Sequence, residues 1–501
     1  MSTSSPSAPV VPSAGTSVDR ALADGSLLRR SYLRRLSSPH GLLVVVCLGH
    51  LALSLALVAS RHMWWQQDEV VYLSQVGAHT PALVFTAPRA RGLPVLLYPL
   101  VHFTTDVTVV RCYLSVIGTA LLYLGLRPWL RLGYGRTVAL AALLFSTLWA
   151  TTFWGALVQP NLFVAEAAAA ALGYALLALR AEAVRRNLAV TTLWVAAMGL
   201  LRPSDATWFV IPVVAGILLV RTVTWRRRAV VGVGLLVGLG LGWSEWVIEA
   251  FASYGGVFHR LQQANALNTP GIHFSLGAEA RDINGPVLCR PCSGVPVSGW
   301  HIAWWFAIPI LVTIGLLATR GTIRFLPLAL ATLGGTTLLA EYVLTTNYAA
   351  PRFLLPTYLL LALPCADGLG WLASWRAAAT TRARVVTGIA ALLVVQTVSQ
   401  LMALNHSVVQ ATASRTRFTA AADRLRAAGV QAPCIVYGNY GPPVAFALGC
   451  NDHPSGKSAA RRVRSGTTVV VLTRGPAIDY PKTQTVELKS STAWVAHILA
   501  P

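Results

Sequence analysis

Between residues 41 and 403 the chain is built from apolar blocks close to twenty residues long, and this limits its folds more than any other feature. A helix needs about 20 apolar residues to cross a ~30 Å hydrocarbon core. The blocks fall at roughly 41–59, 107–126, 138–156, 160–179, 188–201, 206–221, 229–249, 301–318, 324–345, 353–372 and 385–403. They predict a polytopic α-helical membrane protein of about eleven spans. The fifth block is short and ends at Pro203, the mark of a broken helix. Hydrophobic residues make up 55% of the chain and charged ones 12%, where a soluble domain carries about a quarter charged.

The net charge of +22 does not point to nucleic acid. The arginines sit in short clusters between apolar blocks, as in Arg226-Arg227-Arg228, and not on one soluble face. With the N-terminus inside, the inner segments hold 20 Lys/Arg and the outer segments 8 over more residues, as the positive-inside rule requires. The expected protein is multi-pass in the cell membrane, with a cytoplasmic N-terminus and an extracytoplasmic C-terminal domain. Residues 1–28 are rich in Ser, Ala and Pro and are expected to be disordered. They are not a signal peptide, because the first apolar core starts near Leu42.

Three parts follow: a cytoplasmic segment 1–40, a membrane domain 41–403 with external loops 60–106 and 251–300, and a tail 404–501. The tail reads as a small α/β domain with helix 415–428, strand 433–437, helix 442–448, strands 467–473 and 484–488, and helix 491–499; 449–466 reads as a loop. Cys47, Cys112 and Cys365 fall within spans. Cys289, Cys292, Cys434 and Cys450 fall outside them, and an even number in an oxidising compartment predicts two disulfides. A redox or zinc role for Cys289-x-x-Cys292 lacks a second ligand pair.

The chemistry-bearing residues gather after the first span. If 68–76 is helical, Asp68, Tyr72 and Gln75 share a face, while Val70, Val71 and Leu73 turn towards lipid. Such an interfacial helix holds a carboxylate at headgroup depth. Asp68 or Glu69 can then act as a base on a hydroxyl or simply complement the helix dipole. Arg89 and Arg91 precede a second short segment, Gly92 to Leu100, too short and proline-marked to span. These arginines suit a lipid phosphate or snorkel to headgroups. Arg111, Arg202, Asp205, Glu245, Glu249, Glu341 and Arg352 sit at outer membrane edges, where ionisable groups face a cavity or a partner. Glu245 and Glu249, spaced i, i+4, call for a cation, a proton or an arginine such as Arg111 or Arg202. Glu166 lies deeper, as a packing or pairing residue. His259, His273 and His301 are possible ligands of a divalent cation, without helical pairing. No Walker loop, GxSxG or HExxH motif is present.

In this arrangement the chain resembles the GT-C superfamily of lipid-phosphosugar glycosyltransferases, in particular protein O-mannosyltransferases, aminoarabinose transferases and actinobacterial cell-envelope transferases. Asp68-Glu69 with Tyr72 resembles the acidic motif of the family's first external loop. Gly92-Leu93-Pro94 through Tyr98-Pro99-Leu100 with Arg111 resembles its second juxtamembrane segment. Asn347-Tyr348 through Arg352-Phe353-Leu354-Leu355-Pro356 resembles its late Arg-aromatic-x-x-Pro segment. The external tail completes the layout. Many relatives carry an acid where this chain has Gln159-Pro160-Asn161; Glu245, Glu249 or Glu341 are candidates to replace it. The aminoarabinose branch's metal ligands have no clear counterparts.

The resemblance implies inverting transfer of a mannose- or arabinose-type sugar from a polyprenyl phosphate to an acceptor hydroxyl. Asp68 would be the base. Arg89, Arg91 or Arg352 would hold the departing phosphate. Tyr72, Arg111, Glu245, Glu249, Glu341 and Tyr348 are the further substrate-binding candidates. No cofactor is required beyond a possible divalent cation, and the partners are the lipid donor, membrane lipids and an acceptor protein, glycan or peptide. A secondary transporter or lipid flippase shares the span count, but the large outer loops, the folded tail and the lack of repeats count against it.

Overall fold

The computed structural model describes residues 36–78, 80–268, 271–283, 285, 288–290, 292, 294, 296–297, 299–374, 379–452, 467–474, 484–488 and 494–499. The segment expected to be disordered, 1–28, and most of the loop 449–466 lie outside the described residues.

Every apolar block becomes helix. The membrane domain holds α1 (Pro39–Leu57), α2 (Gln67–Ser74), α3 (Gly92–Val101), α4 (Val107–Trp129), α5 (Arg136–Ser146), α6 (Trp149–Gly155), α7 (Asn161–Leu179), α8 (Val184–Leu201) and α9 (Pro203–Leu218). It continues with α10 (Trp225–Ser253), α11 (Val257–Asn268), α12 (Leu276–Asp282), α13 (Gly299–Thr319), α14 (Phe325–Thr345), α15 (Leu355–Ser374) and α16 (Ala379–Ala427). Among the described residues eight helices are long and apolar enough to cross a membrane, or nine if α5 and α6, bent by 75°, form one span. The expected eleven included α8, which opens on Arg185 and Arg186, and α9, which has only 16 residues.

Packing follows from side-chain size. α7 is alanine-rich and buried on every face, so it forms the centre with α15. α8 and α10 approach at Gly199 and Gly242, where a Cβ on Gly199 would lie 2.8 Å from the Gly242 Cα. A Cβ on Gly92 would collide with the Leu200 carbonyl, so only glycine lets the start of α3 lie against α8.

The last span and the first tail helix are one element. Residues 404–414 contain neither proline nor glycine, so nothing stops α16. Its 49 residues extend roughly 73 Å, far more than a bilayer core. The expected boundary at 404 therefore falls inside a rigid strut.

The tail adds β1 (Cys434–Gly438), α17 (Gly441–Leu448), β2 (Asn451–Asp452), β3 (Thr468–Arg474), β4 (Gln484–Leu488) and β5 (Trp494–Leu499), in one sheet of order β2-β1-β3-β5-β4. β1 is parallel to β2 and β3; β5 is antiparallel to β3 and β4. The helix expected at 491–499 is thus corrected to a strand. Trp494–Ile498 is buried throughout, and such a run looks alike as buried helix or central strand.

Two disulfides join Cys289 to Cys292 and Cys434 to Cys450. The second ties the start of β1 to the residue before β2, 16 positions apart. A loop of that size is worth roughly 3 kcal/mol. Serine at both positions is expected to lower the tail's unfolding free energy by that order, measured by thermal unfolding of the full chain; an unchanged midpoint would contradict it.

Val70, Val71 and Leu73 do not face lipid. They are buried in one hydrophobic cluster with Leu93, Leu97 and Phe163 of the membrane domain and Phe418, Val436, Val444 and Phe446 of the tail. The tail covers the apolar face of α2 because α16 carries it there.

Candidate active site

α2 turns its two acids in opposite directions. Glu69 is fully buried. Its Oε2 accepts the Gln66 N–H at 3.0 Å, and its Oε1 accepts the Val158 N–H at 3.0 Å. Arg111 Nη1 lies 3.2 Å from Oε1 and Arg415 Nη1 3.1 Å from Oε2. Both guanidiniums are themselves buried and also donate to the Trp64 carbonyl. Burial would raise the Glu69 pKa, but Arg111 and Arg415 outweigh it and hold the carboxyl below its usual range. Glu69 and Arg111 have no surface to offer a substrate; they lock α2 to α4 and α16.

Asp68 keeps about a third of its side chain exposed. Its Oδ1 pairs with Arg89 Nη2 at 2.8 Å and its Oδ2 with Arg352 Nη2 at 3.2 Å. Burial acts to raise its pKa, yet Arg89 and Arg352 pull it below the carboxylate range, with a smaller contribution from the Gln159 amide. Arg89 is fixed by Thr86 Oγ1 at 2.9 Å and lies over the Tyr72 ring at 5.1 Å. Arg352 lies over Trp154 and Phe353, at 4.7 and 5.1 Å. The carboxylate is ionised, oriented and reachable.

Arg91 forms the neighbouring node. It donates from Nε and Nη2 to Glu249 Oε1, at 2.8 and 2.5 Å, from its backbone N–H to Glu245 Oε2 at 3.2 Å, and from Nη1 to Gln75 Oε1 at 3.3 Å. Asp68, Tyr72 and Gln75 all meet the Arg89–Arg91 segment, as their spacing on one face implies. Arg111 and Arg202 are not the partners of Glu245 and Glu249, as the sequence suggested. Glu249 pairs with Arg91 and, at 2.7 Å, with Arg260. The fully buried Arg260 also donates to the Ala87, Arg89 and Trp246 carbonyls. It clamps the 85–91 segment onto α10.

Beyond Arg352 lies a third group. Arg202 Nε is 2.7 Å from Asp205 Oδ1, and Tyr342 donates its hydroxyl to Asp205 at 2.9 Å. Arg202 lies over the Tyr342 and Phe353 rings, and Glu341 is buried beside it. Tyr348 donates to Asn268 Oδ1 at 3.2 Å and lies under Arg290. The second loop is pinned here: Cys289 and Ala349 exchange backbone hydrogen bonds at 2.9 and 3.2 Å, next to Arg352.

That loop also brings in two acids not singled out from the sequence. Glu279 and Asp282 are buried, and the Asp282 oxygens and Glu279 Oε1 have no hydrogen-bond partner among the described residues. Burial pushes Glu279 up to about 8 and Asp282 well above its usual value; Glu279 adds to the Asp282 rise and Arg352 opposes it. A carboxyl whose folded pKa is raised favours the protonated form. Its contribution is complete below its ordinary 4.5 and is lost as pH rises to about 8. Glu279→Gln is expected to remove up to about 4 kcal/mol of that pH dependence, seen as thermal midpoints that vary less than wild type between pH 5 and 8. Equal pH slopes would contradict it.

Among the described residues no three His, Cys, Asp or Glu side chains converge as a metal site would require. His259 lies beside Gln263, 3.3 Å away.

A helical membrane domain, an acidic helix after the first span and a small α/β tail on one strut form an architecture that solved structures share. The chain matches a crystal structure of ArnT from Cupriavidus metallidurans bound to undecaprenyl phosphate, with a TM-score of 0.62 at 12% identity, over 92% of this chain and 97% of that one. An apo oligosaccharyltransferase from Archaeoglobus fulgidus matches with a TM-score of 0.54 at 10% identity, over 89% of this chain and 70% of that one. AglB from the same organism, in complex with an inhibitory peptide and a dolichol-phosphate, matches with 0.53 at 10%, over 86% and 69%. At such identities the likeness is one of fold. No protein-family model matches the sequence, and no curated protein matches it.

Proposed function

We propose that the chain is a membrane glycosyltransferase that moves a mannose- or arabinose-type sugar from a polyprenyl-phosphate donor to an acceptor hydroxyl, with inversion, at the outer face of the cytoplasmic membrane. One observation carries this reading. A reachable carboxylate, Asp68, is clasped by two arginines from distant segments, Arg89 and Arg352, in a fold shared with proteins solved with undecaprenyl phosphate and dolichol-phosphate.

The chemistry follows from charge. The lipid phosphate enters between α2 and α3 and draws Arg89 and Arg352 towards itself, with Arg91 alongside. Asp68 loses its two cations and becomes more basic at the moment it is needed. The acceptor oxygen attacks the anomeric carbon. The bond from that carbon to the phosphate oxygen breaks, its electron pair leaves on the polyprenyl phosphate, and the hydroxyl proton passes to Asp68. The arginines hold the departing charge in a partly dry site. Glu69, Arg111 and Arg415 are positioning residues that fix α2.

The test is consumption of a polyprenyl-phosphate sugar by the purified chain in nanodiscs, with release of polyprenyl phosphate and a glycosylated acceptor. Transport of a lipid or solute without donor consumption would replace this reading with the flippase one.

A further inference from the structure

The tail holds a second concentration of positive charge that the proposed chemistry does not use. Arg417, on α16, lies over the Tyr440 ring at 4.6 Å; Arg474, at the end of β3, lies over the same ring at 5.0 Å and donates to the Tyr440 hydroxyl at 2.6 Å. Two guanidiniums on one ring repel each other, and neither has a carboxylate partner within ion-pair distance among the described residues. The polar atoms without a partner among the described residues here are donors: Arg417 Nε and the indole N–H of Trp494, a side chain 96% buried whose ring is 6.3 Å from Tyr440.

The backbone points the same way. Tyr440 sits at φ 58°, a left-handed conformation costly for an aromatic residue and typical of functional sites. It follows the end of β1 and opens α17, beside the end of the parallel β3. Ligands of open α/β sheets bind outside the carboxyl ends of parallel strands. That edge faces the membrane site: Asp452, ending β2, accepts the Val84 N–H at 2.7 Å, and Phe85 next to it packs on Tyr72 and Arg91. Arg474 lies two strands over and four residues further along, about 16 Å away.

We propose that Arg417, Tyr440, Arg474 and Trp494 form an oxyanion subsite that holds a phosphate or carboxylate group of the acceptor. An acceptor anchored there lies along the sheet edge that leads to Asp68. Arginine forks suit both oxyanions, and donors with no acid beside them among the described residues favour an anion over neutral and cationic chains. The role as an acceptor site rests on the glycosyltransferase reading; the binding itself does not.

The test titrates inorganic phosphate, then acetate, into the full chain in phosphatidylcholine nanodiscs by calorimetry. Wild type is expected to show two phosphate sites. The Arg417→Gln/Arg474→Gln variant should lose one, with affinity there weakened at least tenfold, while Arg352→Gln loses the other. The double variant binding phosphate as wild type does would overturn the subsite. Retention of one site with loss of the other separates failure here from failure of the donor reading. Phosphatidylglycerol nanodiscs form the second arm: if anionic lipid abolishes phosphate binding at this subsite, the headgroup is its ligand and the acceptor assignment falls. Full binding in that arm supports it.

Discussion

Asp68→Asn protein should fold, run as wild type in gel filtration, and turn over donor about 10²–10⁴ times more slowly, the span that a positioned general base contributes. Asparagine keeps the shape and one oxygen for Arg89 or Arg352, so the clasp is weakened and not emptied. On the proposed mechanism the loss falls on kcat more than on donor KM, because the removed group would act on the acceptor proton. Asp68→Glu tests position: it restores the charge but displaces the carboxylate, and should recover part of the rate. Unchanged turnover in Asp68→Asn would remove Asp68 as the base.

Glu69→Ala has the largest expected effect on stability. It leaves Arg111, with no exposure, and Arg415, nearly as buried, without their carboxylate. Removing one partner of a buried ion network costs about 3–5 kcal/mol. It also loosens the only pairing among the described residues that joins α2, α4 and α16 through charge, so the tail should detach from α2. The expected result is poor yield of monodisperse protein and earlier proteolysis after residue 404. Glu69→Ala with Arg415→Leu should recover part of the loss, since one buried charge goes with its partner. Wild-type stability of Glu69→Ala would show that the network is not what holds the tail.

Much of this site was legible because helix periodicity and span counting act at short range. Asp68, Tyr72 and Gln75 meet the Arg89–Arg91 segment because positions i, i+4 and i+7 share a face. Arg352 and Asp68 meet although 284 residues apart, because counting spans puts both at the same end of the bundle. Arg415 was not legible: it lies 346 residues from Glu69, in an Ala/Ser/Thr stretch that carries no periodic signal. The partners of Glu245 and Glu249 were misassigned for the same reason, since charge alone does not say which arginine is near. Hydrophobicity misled twice. Val70, Val71 and Leu73 are apolar because a folded tail covers them, and β5 is apolar because strands flank it on both sides. In each case apolar sequence says that water is absent, not what replaces it.

The central claim is that the donor phosphate competes with Asp68 for Arg89 and Arg352, and binding of polyprenyl phosphate to the full chain in nanodiscs measures that competition directly. Asp68→Asn weakens the hold on the arginines and should bind polyprenyl phosphate more tightly than wild type, whereas Arg352→Gln should bind it at least tenfold more weakly. Equal affinities in all three proteins would contradict the account.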